Sequence, residues 1–190
     1  SAEQGEVLLE KIISERIPKR YNLSPRHDLL TIAPMYKGAL GVNKINDTLS
    51  KVLNSQGPQI PWANGLRVGD KVMVTKNDYE REIYNGDCGY IIDANEKEMI
   101  IEIEDYHHYY GKDDLKDIIP AYCITVHRAQ GSESNAVVIV LTNGHYPMLR
   151  RNLLYTAITR GKDVVVLITQ KQALQRAITN NDESKRFGDL

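Results

Sequence analysis

Apolar residues at helical spacing open the chain: Val7, Leu8, Leu9, Ile12, Ile13 and Ile17 share a stripe that predicts a helix from about residue 3. Pro18 has no amide hydrogen to donate and marks the expected end. After a turn over Asn22 to Pro25, the run Leu29, Leu30, Ile32, Ala33 stops at Pro34 and predicts a buried strand. A Lys-Gly turn follows. Val42, Ile45, Leu49, Val52 and Leu53 then share one helical face, with Asn43 and Asn46 near its start, so the unit reads as strand, loop and helix of an α/β sheet.

From about Leu66 to Ile118 the period shortens to two. Lys71 to Thr75, Tyr90 to Asp93 and Met99 to Glu104 read as strands, separated by turns at Asn85-Gly86-Asp87 and Ala94 to Lys97. The Ile and Glu alternation in Met99 to Tyr106 fits a half-exposed strand rather than an apolar strand ending in a metal-binding acid pair. Residues 65–118 are therefore expected to form a small antiparallel β-barrel inserted into one discontinuous α/β domain, 1–64 and 119–190. Beyond Pro120, buried strands are expected at Cys123 to Val126, Val137 to Leu141 and Val164 to Ile168. Leu149, Leu153, Leu154, Ala157 and Ile158 predict an intervening helix, with Gly161 just past its end. A closing helix includes Leu174 and Ile178, and Asn180 to Leu190 is expected to fray.

A chain of 190 residues is long enough to bury about 70% of its unfolded surface. Lys and Arg number 24 against 25 Asp and Glu, so a nucleic-acid contact must come from a local patch, not a bulk positive field. Cys88 and Cys123 lie far apart, which implies neither a disulfide framework nor a zinc ribbon and fits a reducing, cytoplasmic setting. No run approaches the roughly 20 apolar residues that cross a bilayer, so no membrane partner is expected.

Candidate chemistry concentrates in AYCITVHRAQGSE, Ala121 to Glu133, and LLYTAITRGK, Leu153 to Lys162. The first carries a strand into a polar loop at the edge where a parallel sheet exposes its carboxyl ends, the usual ligand-binding edge. Polar residues follow most strands, so an ordinary loop is the alternative. Arg160 falls at a helix C-terminus, where the dipole and free carbonyls also suit a simple capping cation.

These two segments, in this order, resemble the last two motifs of superfamily 1 helicases, most closely the RecD-like branch with the motor regions of conjugative relaxase-helicases. RHDLLTIAPMYKGALGVNKINDTL resembles that family's fourth-motif strand, turn and helix, and GDKVMVTKNDYEREIYNGDCGYI resembles its small inserted barrel. The resemblance spans almost the whole chain. It implies a RecA-like fold and a role for Arg160 as an arginine finger on the γ-phosphate of ATP, a device worth roughly 10³ to 10⁵ in phosphoryl-transfer rate. It also implies that Lys37, Gly131 and Glu133 approach the nucleotide, while Thr125 and His127 face single-stranded DNA with Asn77, Tyr79, Asn85 and Gly86 in nearby turns. Asn-Gly is equally a hairpin signal, and Lys37 is equally a solvated turn lysine. Ser134 stands where relatives commonly carry an aromatic residue, and Gly161 where Ala is frequent.

The phosphate loop G-x-x-x-x-G-K-[ST] is absent from the sequence. The chain is thus expected to be the C-terminal portion of a larger ATP-dependent DNA helicase, inactive alone, with ATP and Mg2+ held mainly by an N-terminal RecA-like domain of the same protein. Repair or recombination is the implied setting, and movement from five-prime to three-prime is implied by the resemblance alone. The alternative is a non-catalytic nucleic-acid-binding or adaptor module with a motor-like fold. His107 and His108 lack a helix-spaced metal partner and are expected in a loop, so no metal site is assigned. Tyr106, Tyr109 and Tyr110 beside Lys112 could stack on bases or simply decorate that loop.

Overall fold

The computed structural model describes residues 2–181. Helix α1 (Ala2–Lys11) continues through a π-helical turn (Ile12–Arg16) into α2 (Ile17–Tyr21). The helix therefore does not stop at Pro18. The Ile17 N–H bonds to the Ile12 carbonyl five residues back, and this widened turn gives the proline ring room inside a continuing helix. Termination comes at Asn22, whose left-handed backbone (φ 54°) closes the last turn onto the Pro18 carbonyl.

Strand β1 (Leu29–Ala33) and helix α3 (Val42–Leu53) follow. The next segment holds β2 (Lys71–Val74), β3 (Cys88–Ala94), β4 (Glu98–Ile103), β5 (Tyr106–Gly111), a 3-10 turn (Lys112–Asp117) and β6 (Ile118–Pro120). The chain then runs through β7 (Cys123–Thr125), β8 (Ser134–Leu141), a 3-10 turn (Asn143–Met148), α4 (Arg151–Ile158), β9 (Gly161–Thr169) and α5 (Lys171–Thr179). Among the described residues the strands form two sheets: a parallel one ordered β7-β1-β8-β9 and an antiparallel one ordered β5-β4-β3-β2-β6.

Period-two alternation divides the parallel sheet between two cores. Leu29, Cys123, Ala136, Val138 and Val140 pack under α1, α2 and α3, while Leu30, Ile32, Ile124, Val137 and Ile139 pack under α4 and α5. Helices thus cover both faces, as a RecA-like fold requires. Full burial of each such aliphatic side chain is worth about 1.5–3 kcal/mol. The antiparallel sheet curls round a third core of Val72, Ile91, Met99, Ile101 and Tyr110, and β4 alternates strictly between buried and half-buried positions.

Three local expectations need correction. His107 and His108, with Tyr106, Tyr109 and Tyr110, lie on strand β5 rather than in a loop, because Glu98 to Ile103 of β4 pairs residue for residue with Tyr106 to Gly111. Gly161 is not a left-handed helix cap but the first residue of β9, where an added Cβ would lie 2.6 Å from Val165 Cγ2. At the C-terminal end, Asn180 is anchored: its side chain donates to the Leu149 carbonyl at 3.0 Å and its own carbonyl accepts from Arg151 N–H. The rest of the expected frayed tail, 182–190, lies outside the described residues.

The two sheets are joined by buried polar groups. Asp70, 2% exposed, accepts through Oδ1 from Ser50 Oγ (2.8 Å), Asn54 Nδ2 (2.9 Å) and Tyr122 Oη (3.1 Å), and through Oδ2 from Arg67 N–H (2.9 Å). Burial, with the Asp70 carboxylate beside it, pushes the Tyr122 phenol well up and keeps it a donor. Arg26 adds a second tie: Nη2 donates to the Gly69 carbonyl, its guanidinium lies 4.8 Å over the Tyr90 ring, and Tyr90 Oη donates back to the Arg26 carbonyl at 2.6 Å. On edge strand β7 the Asn46 amide stands in for a missing strand, donating to the Cys123 carbonyl (2.8 Å) and accepting its N–H (2.9 Å).

Two outcomes follow for stability. Asp70→Ala strands four donors around a buried void, so the unfolding free energy from urea titration should fall by about 3 kcal/mol or more. His145 is 2% exposed, and burial holds its imidazole below the ordinary value of 6.5 while Nδ1 accepts from Thr142 N–H. The unfolded chain then binds the proton more readily, so this stabilisation is full above about pH 6.5 and is lost as pH falls. The urea midpoint should drop between pH 7.5 and pH 5, with a smaller drop in His145→Asn. The remainder includes His108, which burial also holds low.

Candidate nucleic-acid and nucleotide interface

An open cleft of about 850 Å³ lies between the parallel sheet and one end of the antiparallel sheet. Pro34 and Tyr36 enter it from the loop after β1, Thr125 from the end of β7, His127, Arg128, Gln130, Gly131 and Ser132 from the segment leading to β8, and Asn85 to Asp87 from the hairpin before β3. The register explains the meeting: Ala33 pairs with Thr125, so β1 and β7 end level and deliver both loops to one edge.

Thr125 is buried, and its Oγ1 accepts the Arg128 N–H at 3.4 Å, which leaves the hydroxyl proton for another acceptor. His127 is exposed on the cleft. Asn77 does not line the cleft. Its Oδ1 accepts the Asn85 N–H at 2.7 Å and its Nδ2 donates to Tyr79 Oη at 3.0 Å, so it braces the turn that presents Asn85. Gly86, at φ 107°, supplies the backbone conformation that turn needs.

The segment after β7 is a crossover. It leaves the carboxyl edge of the sheet at Val126 and reaches the amino edge at Ser134, which pairs with Gly161 at the start of β9. At about 3.3 Å per residue the two edges lie on the order of 20 Å apart along the strands. Gly131 adopts φ 85° with open space around its Cα, so conformation rather than crowding calls for glycine. Arg160 meets the crossover at its lower end: Nη1 donates to the Ser132 carbonyl at 3.3 Å, Nε to the Thr156 carbonyl at 3.2 Å and Nη2 to Thr159 Oγ1 at 3.2 Å. Its Ser134 neighbour closes the joint by donating N–H to the Arg160 carbonyl. These partners are neutral and, among the described residues, no carboxylate pairs with the half-buried guanidinium, whose charge therefore suits an anion. Glu133, nearby and exposed, pairs with Lys162 at 3.5 Å.

The structure therefore brings Thr125, His127, Asn85 and Gly131 together on one cleft, and Arg160 joins that lining through the Ser132 carbonyl. The site expected at the carboxyl edge begins there and continues along the crossover toward Arg160, whose end of α4 lies beside the start of β8 and β9. Lys37 is not brought to Arg160; it sits in the exposed turn beside Tyr36 at the carboxyl edge. Sequence reasoning missed Tyr36, Arg128 and Met148 on the cleft and Asn46 behind β7. A polar residue at a buried helical position was the available signal for Asn46.

A parallel sheet with helices on both faces, a crossover between a polar cleft and a helix-end arginine, and an antiparallel sheet set between its strands make up a RecA-like domain with an insertion. Residues 120–168 match the UvrD-like helicase C-terminal domain, and residues 45–104 match the ATP-dependent RecD-like DNA helicase SH3 domain. The chain is 37% identical over 155 residues to the ATP-dependent RecD2 DNA helicase of Deinococcus radiodurans, covering 81% of this chain and 22% of that protein. It is 30% identical over 142 residues to the RecBCD enzyme subunit RecD of Mycolicibacterium smegmatis, covering 75% and 25%. These matches make the chain the C-terminal motor portion of the RecD-like helicase family. It spans about a quarter of the length of these relatives. The crystal structure of Pif1 helicase from Bacteroides in complex with ADP-AlF3 and ssDNA shares the fold, with a TM-score of 0.59 at 16% identity over 91% of this chain and 47% of that one. Among the described residues no helix is long and apolar enough to cross a membrane.

Gly131→Ala should cost about 1–2 kcal/mol, because a Cβ disfavours the left-handed conformation whatever the space around it. Thermal unfolding of the variant checks this, and the loss should appear without any change in the cores.

Proposed function

We propose that this chain acts as the second RecA-like domain of an ATP-dependent DNA helicase, with 1–64 and 119–190 forming the motor fold and 65–118 the inserted barrel. Its cleft holds the backbone of single-stranded DNA through Thr125 and His127, with Asn85 presented by the hairpin that Asn77 braces. Arg160 serves as the arginine finger toward a nucleotide bound mainly by an N-terminal RecA-like domain of the same protein. Gly131 and Glu133 flank that nucleotide from this side, and the assignment of Lys37 to it rests on the family resemblance alone.

The observation that carries the reading is the Arg160 to Ser132 contact. One crossover lines the DNA-facing cleft and at its lower end is hydrogen-bonded to an arginine that, among the described residues, has no carboxylate partner. A grip on the strand and a cation aimed at phosphate thus share a single short segment. ATP supplies the driving reaction when bound. In that setting Arg160 adds positive charge where the transferring phosphoryl group gathers negative charge, and the Gly131 backbone permits close approach. Mg2+ would accompany the nucleotide, and among the described residues no group of three or more His, Cys, Asp or Glu could hold a metal ion. Its ligands are assigned to the partner domain.

Arg160→Ala in the full-length enzyme should lower DNA-stimulated ATP hydrolysis by roughly 10³-fold or more while leaving single-stranded DNA affinity within about twofold. Turnover near the unmodified rate would reject the finger, and equal loss of DNA binding would make Arg160 a structural residue.

A further inference from the structure

The cleft contains a charge that nothing above assigns. Among the residues lining it, Arg128 carries the one permanent positive charge and Asp87 the one carboxylate. Without Arg128 the lining would be net negative when His127 is neutral, an unfavourable surface for a polyanion. Arg128 is also held in place: its Nε donates to Tyr36 Oη at 2.8 Å across the gap between the β7 and β1 loops. That bond uses one edge of the guanidinium. Among the described residues Nη1 and Nη2 have no hydrogen-bond partner, and the Tyr36 hydroxyl, accepting from Nε, retains its own proton to donate.

We propose that Arg128 binds a phosphodiester of the DNA strand in this cleft, with Tyr36 as its positioning residue. A planar guanidinium with its two terminal nitrogens free matches two phosphate oxygens, and anchoring Nε to a phenol on a separate loop fixes the plane before the strand arrives. Tyr36 O–H supplies a further donor beside it. The pair ties the β1 loop to the crossover, so one phosphate engages both. This inference rests on the reading of the cleft as a DNA site, and the test separates the two.

Fluorescence anisotropy of a labelled oligodeoxythymidylate with the 190-residue chain, titrated across salt concentrations, gives affinity and salt slope together. Arg128→Ala should weaken binding about tenfold at low salt and reduce the slope by about 0.7, the share of one phosphate contact on a single strand. Arg128→Lys, which keeps the charge but loses the fork, should keep the slope and bind between the two. Tyr36→Phe should weaken binding about threefold in the parent chain and add nothing to Arg128→Ala, a coupling that mere loss of packing would not produce. If Arg128→Ala keeps parental affinity and slope while His127→Ala weakens binding, the Arg128 inference is wrong and the cleft reading stands. An additive loss in the double variant overturns the role of Tyr36. A parent chain that binds no oligonucleotide even at low salt removes the cleft reading and this inference with it.

Discussion

Asp70 is the point on which the two sheets turn. It sits at the entry to β2, yet its donors come from α3 and its C-cap through Ser50 and Asn54, from the residue before β7, Tyr122, and from the backbone at Arg67. A buried carboxylate is tolerated only when its lone pairs are filled, and here each oxygen is engaged. The same bonds orient the antiparallel sheet against the parallel one. Because the Asn85 hairpin reaches the cleft through β2 and β3, its position opposite Thr125 depends on this joint and on the Arg26 to Tyr90 tie beside it.

Around that fixed joint the functional geometry is a matter of edges. Parallel strands that end level at Ala33 and Thr125 expose one set of loops, and the crossover to β8 carries the chain past the sheet to the opposite edge, where α4 hands Arg160 to β9. The floor of the cleft and Arg160 are thereby connected by eight residues, 126–133, whose ends are pinned by hydrogen bonds at Thr125 and Arg160. Such a segment can couple occupancy of one surface to geometry at the other without moving the cores, which are close-packed and resist deformation.

Much of this was legible in the chain because periodicity reports burial directly. The buried runs at Leu29 and Val137, and the alternation in Met99 to Glu104, became strands at the expected places because a strand with one or two covered faces has no other pattern available. Pro18 does not end its helix because a π-turn upstream absorbs the missing hydrogen bond, a feature that the proline itself does not encode. Strand β5 escaped notice because its Tyr and His residues carry no apolar alternation; pairing with β4 forms it. Of the site, the motif residues were visible by resemblance, but the course of the crossover from the cleft to Arg160 was not, since that depends on the register of Ser134 against Gly161. Arg128 with Tyr36, and Asn46 with Cys123, join residues distant in sequence, and no local pattern encodes such contacts.

On the proposed function, the cleft and Arg160 respond to one another through the crossover they share. Hydrogen–deuterium exchange of the 190-residue chain, with and without an oligodeoxythymidylate, tests this most directly. The account predicts slower exchange through 125–133 and a change at the Arg160 amide, with the outer strand β4 unaffected. Protection confined to β4 and β5, with 125–133 and Arg160 unchanged, would contradict it.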